Sequence, residues 1–274
     1  MKILIPTDFS VLSRVAIEFA IELGKKFKAE LILLSVVYQE GPPRARLNTK
    51  DLQEIIINDA RKKCAQIIAD LKSSYSPKVE CQVISGYPVS QVVNNYANNN
   101  DINLIIMGTK GATGLKKIFL GSNAASVIDK SMVPVIAVPE FAQFNDLADI
   151  VYATDIIDLR SEIERVVTFA RKFNARVHVL HVTSPREEKA IDAKEIVTQL
   201  IKRLNYPHIS FAVSHADDPE EGIDEYITKN KIDMLAMFTH ELTFFEKLFG
   251  KGITRQVALF NKVPLLTFKK KLKS

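Results

Sequence analysis

Gly108, Gly111, Gly121 and Ser122 are the residues whose types and spacing most clearly suggest chemistry. Gly108 closes the apolar run from Leu104 to Met107, and nine residues separate Gly111 from Gly121. The layout suits a bound phosphate. A helix start offers unpaired backbone N–H groups with partial positive charge, and glycines there let an anion reach the backbone. Lys110, Lys116 and Lys117 lie in the same stretch. Each either adds positive potential or is a solvated loop charge. Asp8, after the first apolar run, has two readings: it caps the turn into a helix at Ser10, or it meets a ligand at a strand end.

Familiar catalytic patterns are missing. The chain has no G-x-x-x-x-G-K-[ST], no G-x-G-x-x-G after its first strand and no G-x-S-x-G. His178 and His181 resemble a ligand pair, but residues three apart on a strand point to opposite faces. They are read as separate strand residues. Nothing pairs a nucleophile with a base, so no catalytic constellation is assigned. Cys64 and Cys81, seventeen residues apart, lack metal-ligand spacing and are expected to be free thiols.

Elements must hold these residues in place, and the chain alternates strand and helix patterns throughout. Lys2 to Thr7 is a short apolar run; Val11, Leu12, Val15, Ala16, Phe19, Leu23 and Phe27 then recur at helical spacing. Glu30 to Val37 is a continuous branched run, as in a parallel strand covered on both faces. Helices are expected over Leu52 to Leu71, Val89 to Ala97 and from Ser122 to about Lys130, with strands over Lys78 to Ser85, Ile102 to Met107 and Val133 to Val138. The fold class is α/β, with ligands at the carboxyl ends of a mostly parallel sheet.

The pattern then repeats. Thr154-Asp155 stands opposite Thr7-Asp8, Phe173 to Val182 follows Phe27 to Val36, and Ile232 to Met237 follows Ile102 to Met107. Two domains are therefore expected, 1–140 and 149–274, joined by a short linker without a Gly/Ser run. The second copy departs from the first at the glycines. Phe238 stands for Gly108, Glu241 for Gly111, Phe244 for Gly114 and Lys251 for Gly121. A ring would fill the phosphate space and a carboxylate would repel its charge. One site per chain is expected.

Composition sets the remaining bounds. The 274 residues are 47% hydrophobic and 25% charged, which is globular, and no apolar run approaches the ~20 residues of a membrane span. A cytoplasmic location without membrane association is expected. Net charge is +5, but much of the excess lies in Lys269, Lys270, Lys271 and Lys273, without interleaved aromatics. Nucleic acid is not the expected partner.

At these residues the chain resembles a tandem universal stress protein. The family signature of Gly, two residues, Gly, nine residues, Gly, then Ser or Thr is met by Gly108, Gly111, Gly121 and Ser122. Pro6-Thr7-Asp8, Ser35-Val36, Met107 to Gly111 and Val133-Pro134-Val135 extend the likeness along the chain. The resemblance implies two Rossmann-like domains of the adenine nucleotide alpha hydrolase-like type, each a five-stranded, mostly parallel sheet flanked by helices. It implies ATP, ADP or AMP as ligand, with Mg²⁺ as companion. Contacts implied are adenine to the Val36 backbone, nucleotide to Asp8, and phosphates to Gly108, Gly111, Gly121, Ser122 and Asn123. The family generally dimerises through its last strand. Here Val133 to Val138 and Val263 to Phe268 are expected to meet as an intramolecular pseudo-dimer, with a homodimer and an unidentified protein partner left open. Three functions compete: a nucleotide-responsive regulator in stress adaptation, a slow ATPase, and a nucleotide-independent adaptor.

Overall fold

The computed structural model describes residues 1–38, 49–71, 75, 77–109, 121–186, 191–239 and 263–270. They divide into two compact units, residues 1–109 with 121–140, and residues 141–270. In the first, the order is β1 (Lys2–Pro6), α1 (Val11–Phe27), β2 (Glu30–Val37), α2 (Thr49–Leu71), β3 (Val79–Ser85), α3 (Val89–Asn99), β4 (Leu104–Gly108), α4 (Ser122–Lys130) and β5 (Val135–Val138). Its strands lie in the order β3-β2-β1-β4-β5, and every pair is parallel. The chain reverses its direction across the sheet between β1 and β4. A ligand crevice forms at such a switch point, outside the carboxyl ends of the strands.

Burial explains the strand sequences. Ile3, Leu4 and Ile5 of β1 and Ile105 and Ile106 of β4 are all fully buried, because helices cover both faces of the central strands. Edge strand β3 is mostly half-exposed. Helix α1 buries Ala16, Phe19, Ala20 and Leu23, which recur at three- and four-residue steps. Burying side chains of the size of Phe19 and Leu23 stabilises by about 1.5–3 kcal/mol each. Ser10 caps the helix by accepting the Ser13 N–H, and Lys28 closes it in the left-handed region at φ 49°.

The second unit follows the same plan with β6 (Asp149–Ala153), α5 (Leu159–Ala170), β7 (Arg176–Thr183), α6 (Ala193–Leu204), β8 (Ile209–His215), α7 (Pro219–Asn230), β9 (Met234–Thr239) and β10 (Leu265–Lys269). Its strands lie in the order β8-β7-β6-β9-β10, again with every pair parallel. Ile150 pairs with Met234 as Ile3 pairs with Leu104. This register makes Phe238 the counterpart of Gly108.

One expectation is corrected. Cys64 of α2 and Cys81 of β3 are not free thiols but form a disulfide, with Cα atoms 6.0 Å apart. Packing of α2 on the sheet edge brings together two residues whose sequence spacing shows no pairing.

Candidate functional site

The site begins with the turn after β1. The Thr7 N–H continues the ladder to the Leu34 carbonyl at 2.9 Å. Thr7 Oγ1 accepts the Phe9 N–H at 3.0 Å and shares a 2.9 Å bond with Ser13 Oγ. Asp8 Oδ1 accepts the Ser10 N–H at 3.0 Å. These bonds hold Phe9 at φ 62°, in the left-handed region. The capping reading of Asp8 is thus realised. Its side chain nevertheless remains exposed at the strand end, so capping leaves it accessible.

The second wall is built by β4 and α4. Thr109 donates its N–H to the Val138 carbonyl at 3.0 Å, and its own carbonyl accepts the Gly121 N–H. Residues twelve positions apart in sequence are thereby joined, placing the start of α4 beside Gly108. Gly121 is the N-cap of α4 and makes no side-chain cap bond, while Ser122 and Asn123 in the first turn are exposed. Backbone N–H groups in a first helical turn have no partner within the helix and suit an anion. β1 pairs directly with β4, so Asp8 and this helix start flank adjacent strand ends. Val36, half-buried, lies near the end of β2 on the other side of β1. The structure therefore gathers Asp8, Val36, Gly108, Gly121, Ser122 and Asn123 at one edge of the first unit. Gly111, Lys110, Lys116 and Lys117 lie outside the described residues.

A separate groove lies next to the turn after β1. This groove of about 490 Å³ between α1 and α2 is lined by Asp8, Phe9, Arg14, Ile17, Lys63 and Ile67, among others. It shares Asp8 with the strand-end constellation but none of the glycines. A counterpart of about 880 Å³ lies between α5 and α6. Its recurrence in both units makes the groove a feature of helix spacing, whereas the donors suited to an anion sit at the strand ends. Among the described residues, no group of three or more His, Cys, Asp or Glu is arranged to hold a metal ion.

In the second unit the same turn recurs with other surroundings. Thr154 Oγ1 accepts the Ile156 N–H and Asp155 Oδ1 the Ile157 N–H, each at 3.0 Å, with Ile156 at φ 63°. Where β4 ends in glycine, β9 carries the buried Phe238. Its ring stacks on Phe268 at 5.1 Å and meets Tyr152 edge-on at 5.8 Å. The Arg165 guanidinium lies 5.4 Å from the Phe238 ring centre and 4.7 Å from that of Phe268, and it donates to the Lys269 carbonyl at 2.6 Å. The Tyr152 hydroxyl bonds Glu162 and, at 3.1 Å, Thr154 Oγ1. Lys270 pairs with Asp158 and approaches Glu162 Oε1 at 3.6 Å. Burial raises the Tyr152 hydroxyl pKa far above its ordinary value, reinforced by the Glu162 charge. Rings and paired charges thus fill this strand end. Glu241, Phe244, Lys251 and the aromatic run 244–249 lie outside the described residues.

Sequence reading missed this cluster; the signal was the four-residue spacing of Glu162 from Val166, which puts a carboxylate on the face that the helix buries. A second network was also missed. Asp149 accepts two hydrogen bonds from Arg176, at 2.7 and 2.8 Å, and lies 2.8 Å from His178 Nε2; His178 Nδ1 is 3.1 Å from the Tyr226 hydroxyl. Burial alone would raise the Asp149 carboxyl, but Arg176 and His178 outweigh it and hold the pKa below the ordinary value. His181 Nδ1 lies instead 2.9 Å from the Thr154 carbonyl, so the two histidines take separate partners.

Comparison with known proteins finds relatives in sequence and in fold. Universal stress protein MJ0531 of Methanocaldococcus jannaschii is 32% identical over 140 residues, covering 50% of this chain and 81% of that protein. Universal stress protein YxiE of Bacillus subtilis is 29% identical over 150 residues, 50% of this chain and 97% of its own length. In fold, a universal stress protein from Archaeoglobus fulgidus covers 98% of each chain with TM-score 0.76 at 17% identity. A putative universal stress protein from Pseudomonas aeruginosa covers 98% of this chain and 92% of its own with TM-score 0.61 at 16% identity. The model of the universal stress protein family matches residues 1–139. The chain belongs to the universal stress protein family.

Proposed function

We propose that the protein is a nucleotide-responsive regulator that binds ATP, or a related adenine nucleotide, at the strand ends of residues 1–140 and holds one nucleotide per chain. The observation that carries this reading is the bond from the Gly121 N–H to the Thr109 carbonyl, which sets an uncapped helix start beside Gly108. Phosphate oxygens would accept from the N–H groups at the start of α4, with the Ser122 hydroxyl as a further donor. Gly108 puts no side chain in their path. The Asp8 carboxylate repels phosphate and suits the sugar hydroxyls or a phosphate-bound Mg²⁺. The Val36 backbone would meet the adenine edge. A bound Mg²⁺ would supply charge neutralisation at the phosphates, and the Asp8 carboxylate would assist it.

Occupancy would order the surface around these strand ends, and a protein partner in stress adaptation would read the difference. The test is direct: release any carried nucleotide by denaturation, identify it by mass spectrometry, then titrate ATP and Mg²⁺ into nucleotide-free wild type and Gly121→Asp. One ATP per chain in wild type and none in the variant is the expected result. No adenine nucleotide binding to wild type overturns the reading, and two per chain overturns the single-site claim. Phosphate release at background from both proteins would leave a binder rather than an enzyme.

A further inference from the structure

Helix α2 is weakly held for its length. Of its described side chains only Ala60 and Cys64 are buried, with Ile56, Ile57, Ile67, Ile68 and Leu71 half-buried. The shorter α1 buries eight residues. The Cys64–Cys81 bond adds a covalent tie from α2 to edge strand β3. The register counterpart of Cys81 in the second unit is Phe211 of β8, so that unit lacks the tie.

We propose that Cys64–Cys81 is a reversible thiol–disulfide site, opened by a dithiol reductant at Cys81, whose state sets how firmly α2 is held against the sheet. Accessibility fixes the direction of attack. Cys64 is 2% exposed, whereas Cys81 is half-buried on an edge strand. One thiolate of the reductant forms a bond to the Cys81 sulfur while the Cys64–Cys81 bond breaks; Cys64 leaves as thiolate and takes up a proton. The second thiol of the reductant, as thiolate, then attacks its own sulfur in the mixed disulfide and releases the Cys81 thiolate, which is protonated. Two electrons and two protons pass to the protein, and the reductant becomes a disulfide. Reoxidation by a low-molecular-weight disulfide reverses each step.

The consequence lies in local opening. A disulfide acts largely by restricting the open state, and losing it exposes the backbone of a segment with few buried contacts. Helix α2 also supplies Lys63, Gln66 and Ile67 to the groove facing α1, so that wall loosens with it.

The test uses the full chain without nucleotide, so its outcome is independent of the strand-end site. Protein treated with glutathione disulfide, then with dithiothreitol, is assayed for alkylatable thiols by mass and for amide hydrogen exchange. The proposal expects no alkylated thiol before reduction and two after. It expects exchange in residues 57–71 to rise about tenfold on reduction, while α1 and α6 hold steady. Cys81→Ser should exchange like reduced wild type with or without dithiothreitol, and Cys64→Ala gives a second check by the same readout. Two reactive thiols after glutathione disulfide, or unchanged α2 exchange on reduction, would overturn the proposal.

Discussion

The ends of β4 and β9 occupy the same register in two similar sheets and do opposite things. At the first, Gly108 is followed by a helix start without a side-chain cap, where Ser122 and Asn123 are exposed. At the second, Phe238 is packed among Tyr152, Phe268 and Arg165, with Lys270 paired to Asp158 and 3.6 Å from Glu162. Among the described residues, the first strand end thus carries an uncapped helix start, whereas side chains close the second. The turn preceding the helix is the same in both. What decides is the residue at one strand position and the charges that gather around it.

The contrast is most strongly tested at Phe238. Phe238→Ala should destabilise the second unit by about 3–5 kcal/mol in denaturant unfolding, since the ring is stacked and fully surrounded; ATP affinity should not change. A weakened nucleotide site would break the separation of roles. Gly121→Asp should lower ATP affinity about 100-fold or more in calorimetry, because it sets a carboxylate within a few ångströms of the phosphates, with thermal stability little altered.

A smaller effect concerns Asp149. Its depressed pKa means the Arg176 and His178 bonds contribute stability above the ordinary carboxylate pKa of about 4, and that contribution is lost as pH falls through the folded value. Groups facing it also include Tyr226 through His178, and Asp233, whose Oδ2 accepts the Asp149 N–H at 2.8 Å. Asp149→Asn should therefore flatten the acid limb of stability measured from pH 6 to pH 3. An unchanged limb would show that the network titrates without consequence for folding. The mildest pair is Asp8→Ala and Asp155→Ala. Each removes a turn bond worth about 0.5–1 kcal/mol in melting experiments, but only Asp8→Ala should weaken ATP binding. Equal affinities in both variants would sink the assignment of Asp8 to the nucleotide.

Much of the architecture was legible because buried parallel strands spell themselves as branched apolar runs. Glu30 to Val37 is strand from end to end. Boundaries moved where local bonds intervene: β5 starts at Val135 because Ser131 Oγ bonds both the Val133 N–H and its carbonyl, and Pro134 has no N–H to give. The nearness of Gly108 and Gly121 was legible from their spacing. The Asp149 network was not, since Arg176 and His178 lie 27 and 29 residues away and meet it only across paired strands. Nor was the disulfide, which depends on which face of α2 settles on β3.

Ile156 gives the twin turns a further meaning. A β-branched residue at φ 63° is disfavoured by about 1 kcal/mol or more, and glycine would relieve it. The second unit carries that cost although Phe238 stands at the strand position where the first unit has Gly108. Backbone shape and side-chain chemistry have therefore come apart in the two halves, as a doorway keeps its frame after being bricked up. Anyone wishing to graft a ligand site onto the second half would find the frame already standing, and the bricks named.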